Sequence, residues 1–156
     1  RVNAYAARST DKLIFGNGVK LFADGGFFAE LMQMAPPGFI DGHLGEWMMA
    51  PESIEALAGV FWHAGKRIHI HCTGDLGVEL ALDILEKLQW ERPRFDHRFT
   101  IEHFGVSTPE QARRIKALGA LVSANVYYER ILTFKWWRRL WKRICGRQRK
   151  IDETSP

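Results

Sequence analysis

The amino-acid sequence predicts an α/β fold built on a parallel sheet. Short β-prone segments alternate with amphipathic helical segments along residues 18–124, in the order βαβαβαβ, which is typical of parallel sheets. No G-x-G-x-x-G motif follows the first strand, so dinucleotide binding is not indicated. Four strands of this kind fit either an open doubly wound sheet or half of a (β/α)8 barrel.

The first predicted strand is GVKLFAD, residues 18–24, which is β-prone and followed by glycines. A long loop is predicted for residues 25–50, which are rich in Gly, Pro and Met. Pro51 and Glu52 then mark the start of a helix, whose apolar residues recur at helical spacing as far as Gly65.

The same alternation continues to residue 124. Strands are predicted for RIHIH (67–71), HRFTIEH (97–103) and ALVSA (120–124), and helices for residues 74–90 and 107–118. The last of these helices is expected to begin at a Ser107 or Thr108 cap and to end before Gly119.

The charge of the chain is uneven along its length. The net charge is +4, yet residues 134–150 hold many lysines and arginines and no acid. The rest of the chain is therefore mildly acidic, and no nucleic-acid partner is expected. Cys72 and Cys145 are too few for a disulfide framework and suit a reducing cytoplasm.

Three residues that can bind metals lie towards the carboxyl ends of successive strands: Lys20, His71 and His103. In (β/α)8 barrels that end of the sheet carries the active site, so these side chains are expected to converge on one mouth. Each also has a structural interpretation. A single strand histidine is usually hydrogen-bonded in place, and a strand lysine can extend to solvent.

Alternation along each strand predicts which side chains share a face. The expected groups are Lys20 with Phe22 and Asp24, His69 with His71, and Phe99 and Ile101 with His103. Glu102 has the opposite parity to His103, so it is expected to face the helix layer or to form a salt bridge. Cys72 is expected to face away from His71, without a base partner.

Other residues near this mouth are weaker candidates. His69 is expected in the core or in an outer shell of the site rather than as a ligand. Asp75 is expected to cap the following helix or to orient a ligand. Asp24 is another outer-shell candidate. Trp47 and the rest of the 25–50 loop either wall a substrate pocket or cover the barrel end.

Several motifs together resemble the amidohydrolase 3 family of the metal-dependent amidohydrolase superfamily. They are VKLFADGGFFAELMQM, IDGHLGEW, HIHCTGD, FTIEHFG and STPEQARRIKALGALVSAN, and they cover about residues 18–128. The resemblance implies a partial (β/α)8 TIM-type barrel, roughly strands four to seven of a longer protein. It also implies hydrolysis of non-peptide C–N bonds in a small amide-type substrate.

The resemblance further implies a divalent metal site with one or two ions, zinc being expected. Lys20 matches the strand-four lysine, which in the family can be carboxylated and then bridges two metals. His71 and His103 match the ligands of strands five and six. The family's first-strand H-x-H pair has no counterpart here, because His69-Ile70-His71 has that spelling but the following Gly74-Asp75 matches strand five. The strand-eight Asp is also missing, since Asp152 has no strand around it. The chain alone is therefore expected to be inactive.

Residues 129–156 form a second predicted unit, after the partial barrel of residues 1–128. On a helix, one apolar stripe faces a basic side; the stripe comprises Thr133, Trp137, Leu140, Trp141 and Ile144. Such a helix fits contact with an anionic membrane surface or with a partner groove. The alternative is a tail produced by a frameshift or a truncated reading frame.

Two further functions stay open from the sequence. The tail fits a non-catalytic protein that binds a surface through residues 130–150. Lys20 also fits a Schiff-base nucleophile in another barrel enzyme. Whichever function holds, half a barrel would expose two sheet edges and apolar surface, so self-association is expected.

Overall fold

The computed structural model describes residues 8–12 and 17–125 of the chain. Strands and α-helices alternate in the order β1 (Gly18–Phe22), α1 (Pro51–His63), β2 (Arg67–Cys72), α2 (Asp75–Glu91), β3 (Thr100–His103), α3 (Pro109–Leu118) and β4 (Leu121–Ala124). The chain divides into two compact units, residues 1–124 and 125–156. The helix predicted in the basic tail lies outside the described residues.

The four strands form one parallel sheet in the order β1-β2-β3-β4. One face of this sheet joins the three helices in a single apolar core. On the strands this core comprises Leu21, Ile68, Ile70, Cys72 and Ile101, all at most 5% exposed. The opposite face carries mostly half-buried or exposed side chains, with Thr100 buried among them at 6% exposure. A doubly wound sheet has helices on both faces, so the arrangement fits part of a (β/α)8 barrel.

The helices begin and end where local chemistry favours it. Pro51 occupies the first turn of α1, where its missing N–H leaves no donor unsatisfied. The α3 cap is Thr108 rather than Ser107, because Thr108 and Gln111 form a reciprocal capping box. Gly119 ends α3 with a φ of 68°, a left-handed conformation that glycine adopts without steric cost.

Three strands are shorter than predicted, and the smallest difference is at β4, which starts at Leu121 rather than at residue 120. β1 ends at Phe22 rather than at residue 24, and β3 starts at Thr100 rather than at residue 97. Before β3, Arg98 has a φ of 48°, so the chain is not extended there. Within the described part of the chain, none of the helices has both the length and the apolar character needed to cross a membrane.

Candidate metal centre

The open face of the sheet brings four polar side chains into neighbouring positions. In the parallel register, Lys20 lies beside His69, and His71 lies beside Glu102. Residues in register share a face, so all four project from the face opposite the helices. Phe22, in register with His71, lies in the same row and is 45% exposed.

The His103 ring contacts the His71 ring because the backbone at the end of β3 departs from regular strand geometry. The two ring centroids are 4.2 Å apart. The prediction that His103 shares a face with Phe99 and Ile101 is wrong, because those two side chains are fully buried under the helices. His103 has a φ of 74° and Phe104 a φ of 49°. This left-handed turn ends the strand's alternation and lets the imidazole contact the other face.

The His71 ring favours the neutral imidazole form, and one of its nitrogens has no partner among the described residues. Burial lowers its pKa below the ordinary value, and the charge of Asp24 and a backbone hydrogen bond with Gly25 oppose this only in part. Its Nε2 is buried and has no hydrogen-bond partner among the described residues. The backbone bond is therefore assigned to Nδ1, which leaves the Nε2 lone pair available.

The His103 ring is affected in the same direction. Burial lowers its pKa, and the nearby His71 and Lys20 lower it further. Glu102 and Asp24 act against this shift without reversing it. Both imidazoles thus favour the neutral form, which is the form that binds metals.

Lys20 lies on the same face but is paired with a carboxylate. Its Nζ donates to Glu102 Oε2 at 3.0 Å, and Glu102 Oε1 lies 2.8 Å from His69 Nδ1. Burial raises the pKa of Glu102, but the hydrogen bonds from Lys20 and His69 outweigh it and the net shift is downward. Of the two expectations for Glu102, the salt bridge is confirmed and the helix-layer position is wrong.

Asp24 lies away from the open face, beyond the end of β1. Its side chain is fully buried. The carboxylate accepts hydrogen bonds from the backbone N–H groups of Gln33, Thr73 and Gly74 and from the Thr73 hydroxyl. The expectation that Asp24 shares a face with Lys20 and Phe22 is therefore wrong. Its carboxylate instead holds the segments that follow β1 and β2.

Asp75 and Trp47 are also engaged in holding the long loop. Asp75 Oδ1 accepts from Ala35 N–H at 2.9 Å and from Leu76 N–H at 3.0 Å. The residue at the α2 cap is Gly74, without a side-chain cap, so Asp75 lies in the first turn rather than at the cap. Trp47 forms an isolated bridge with Asp24, and its side chain packs against the core.

Cys72 is not part of the mouth. Its side chain is fully buried in the core on the helix side of β2, opposite His71, as predicted. Burial raises the pKa of the thiol well above its ordinary value. A thiol held protonated in an apolar core is neither a nucleophile nor a metal ligand.

A second group of candidate ligands lies in the 25–50 loop. Ligand atoms of Glu30, Asp41 and His43 lie within 4.8 Å of one another. Hydrogen bonds with the Glu30 carbonyl and the Asp41 carboxylate raise the pKa of His43. Both ring nitrogens are engaged in these contacts, at 2.8 and 2.6 Å. This histidine is therefore already satisfied by the protein, unlike His71.

The residues at the strand ends fit a divalent metal. Two neutral imidazoles in contact, one with an unpartnered buried nitrogen, offer nitrogen donors of the kind that zinc and related ions bind. An amine lies beside them on the neighbouring strand. The sequence predicted Lys20, His71 and His103 as candidate ligands. It gave no signal for Gln33 and Thr73, which hydrogen-bond Asp24, because they lie in loops without any periodic pattern.

Two solved structures have a similar fold. One is an uncharacterized metal-dependent hydrolase from Pyrococcus furiosus, with a TM-score of 0.67 and 24% identity over 87% of this chain and 28% of that chain. The other is an uncharacterized metal-dependent hydrolase from Pyrococcus horikoshii OT3, with a TM-score of 0.66 and 21% identity over 87% and 27%. The chain thus spans little more than a quarter of these proteins.

Comparisons with curated proteins and with family models gave different results. A search of curated proteins found no match to this chain. The model described as "Amidohydrolase family" matches residues 5–142. This range includes all four strands and the first part of the basic tail. The chain therefore belongs to the amidohydrolase family.

Proposed function

We propose that this chain is the strand-four to strand-seven portion of a metal-dependent hydrolase barrel. In the complete protein, the substrate would be a small molecule with a non-peptide, amide-type C–N bond. The observation that carries the proposal is the buried Nε2 of His71, which has no partner among the described residues and lies on a ring in contact with His103. A buried nitrogen of this kind needs a partner, and a metal provides one.

His71 and His103 would hold the metal through neutral imidazole nitrogens, and zinc is the ion that suits them best. When bound, the metal would supply an activated water near neutral pH and would polarise the scissile carbonyl. Burial of both rings keeps them unprotonated, which favours binding at neutral pH.

Lys20 would be the third ligand, in carboxylated form. The Lys20 ammonium would first lose a proton. The neutral Nζ would then attack the carbon of CO2, forming an N–C bond as one C=O π bond breaks, and would release a second proton. The two oxygens of the resulting carbamate would share one negative charge. The same step would end the ion pair with Glu102. Glu102 would keep its hydrogen bond with His69, so the row of polar side chains would stay ordered.

We further propose that the 156 residues alone do not hydrolyse substrate. The chain has no counterpart of the family's first-strand H-x-H pair or of its strand-eight Asp. Without that carboxylate, no described residue is assigned to move a proton between water and the leaving group, since Glu102 is engaged by Lys20 and His69. Hydrolysis of amide-type substrates by the purified, zinc-loaded chain would contradict this. Finding the missing motifs in the flanking DNA would support it.

The metal site is tested by zinc titration of the purified chain and single variants. His71→Ala, His103→Ala and Lys20→Ala should each weaken zinc binding at least tenfold, on the order of losing a strong contact to the ion. His63→Ala is the matched control, since His63 is half exposed at the end of α1 and far from the strand ends in sequence. Unchanged zinc affinity in all three strand-end variants would end the proposal.

A further inference from the structure

The Asp24 carboxylate is the most heavily bonded buried group near the strand ends. It accepts four hydrogen bonds at 2.7 to 3.1 Å, from Gln33 N, Thr73 N, Thr73 Oγ1 and Gly74 N. Each of its two oxygens takes two donors. Hydrogen bonds to a charged acceptor are stronger than neutral ones, and here no water competes because the side chain is fully buried.

These bonds hold the segment that directly follows His71. Thr73 and Gly74 come two and three residues after it, and the single Thr73 hydroxyl proton is shared between Asp24 Oδ1 and the Gly25 carbonyl. The Gly25 backbone in turn lies close enough to the His71 ring to act on its pKa. Asp24 therefore fixes both the backbone that carries His71 and the backbone group that orients its imidazole.

The same segment holds the turn that follows His103. Phe104 N–H donates to the Cys72 carbonyl at 3.1 Å, and Val106 N–H donates to the Thr73 carbonyl at 2.8 Å. Gly105 lies so close to Thr73 that an added Cβ would lie 2.9 Å from its carbonyl oxygen. The left-handed turn at His103 and Phe104 is thus built against residues that Asp24 holds in place.

We infer that Asp24 is a positioning residue for both imidazoles: it sets the backbone at the ends of β1, β2 and β3 so that the His71 and His103 rings meet. The inference about the positions of the two rings depends only on the structure of the protein without metal. Only its consequence for zinc affinity rests on the proposed function. Both oxygens of the Asp24 carboxylate are engaged by protein donors, so Asp24 would act through the two histidines rather than as a ligand.

Gly77 offers a way to displace Asp24 without touching the histidines. It lies in α2, and a Cβ added there would lie 2.9 Å from Asp24 Oδ2, so the carboxylate must shift. Replacing a helical glycine with alanine otherwise favours the helix, because alanine loses less backbone freedom on folding. Gly59→Ala is the matched control, because Gly59 lies in α1 and an added Cβ would meet nothing within 4 Å.

The experiment records NMR spectra of the metal-free chain and then titrates zinc. In Gly77→Ala, we expect altered amide signals for Gln33, Thr73 and Gly74 and a loss of proton contacts between the His71 and His103 rings. We also expect a zinc affinity 10- to 100-fold lower, on the order found for groups that orient metal ligands. Gly59→Ala should leave all three readouts unchanged.

A second variant covers the case in which Gly77→Ala does not fold. Asp24→Asn keeps the shape of the side chain but replaces one acceptor oxygen with an NH2 group, which faces two N–H or O–H donors. A folded variant of either kind that keeps the contact between the histidine rings would overturn the inference. If the rings separate while the wild-type chain binds no zinc, the proposed function fails and the positioning role stands.

Discussion

The two faces of the sheet differ in what they contribute. On the helix-covered face, Ile70 and Ile101 are fully buried and Leu21 is 5% exposed. On the open face, Phe22 is 45% exposed and the polar row of Lys20, His69 and Glu102 is only partly buried. The described residues therefore obtain their stability from the apolar face under the helices, whereas the candidate metal ligands lie on the open face.

The largest expected change in the free energy of unfolding comes from shortening a buried side chain on the helix-covered face. Ile70→Ala removes buried methylene groups from the centre of β2 and leaves a cavity, which should lower the free energy of unfolding by about 2–5 kcal/mol. Urea denaturation measures the change. A loss below about 1 kcal/mol would show that this face is not the source of stability.

The covered side should also respond to pH through His97. This ring is 2% exposed; its Nε2 lies 3.1 Å from the Leu118 carbonyl and its Nδ1 accepts from Phe99 N–H at 2.9 Å. Burial lowers the His97 pKa in the folded protein. The unfolded chain therefore binds a proton at higher pH than the folded one, and stability should fall as the pH drops below 6.5.

His97→Gln is the variant that isolates this effect, because it keeps an amide donor and acceptor but has no titrating ring. Urea midpoints measured at pH 7.5 and pH 5.5 should differ less in His97→Gln than in the unaltered chain. His63→Ala, which removes a half-exposed histidine, should keep the original difference. Equal pH dependence in the His97 variant would refute the assignment.

The open face should govern self-association, which we propose for this chain. In the described residues, β1 and β4 each pair on one side only, and Phe22 and Leu121 are 45% and 48% exposed. Light scattering should show oligomers that diminish in the double variant Phe22→Ser, Leu121→Ser. The control Phe95→Ser removes an exposed ring outside the sheet. Monomers at all concentrations of the unaltered chain would contradict the open-face picture.

The smallest effect on stability is expected at Glu102. Its partners lie on a partly exposed face, where an ion pair contributes about 1 kcal/mol or less. Glu102→Gln should therefore barely change the urea midpoint, in contrast with Ile70→Ala. A loss of more than about 2 kcal/mol would mean that the open face is more strongly coupled to the core than its exposure indicates.

The order of elements was predictable because it depends on local patterns. Apolar residues spaced for α1 and α2, the Thr108 cap and Gly119 all predicted elements where the structure has them. The sequence alone left a doubly wound sheet and a half-barrel open. That choice depends on which face of the sheet the helices cover, and within residues 17–125 the helices pack on one face.

The site was predictable only as a set of residue types near strand ends. Strict alternation grouped His103 with Phe99 and Ile101, opposite Glu102, and grouped Asp24 with Lys20 and Phe22. Neither grouping holds, although His103 does meet His71 as expected. His103 leaves the pattern through a left-handed backbone, and Asp24 leaves it because β1 ends two residues earlier. Both departures depend on hydrogen bonds between distant segments, such as Phe104 to Cys72 and Gly74 to Asp24. Periodicity carries no information about such contacts.

The most direct test of the account is zinc X-ray absorption spectroscopy of the zinc-loaded chain. We expect two imidazole nitrogens at about 2.0–2.1 Å from the ion, falling to one in His71→Ala and in His103→Ala and staying at two in His43→Ala. A spectrum without imidazole ligands, or one that changes only when His43 is removed, would contradict the claim that the strand ends hold the metal.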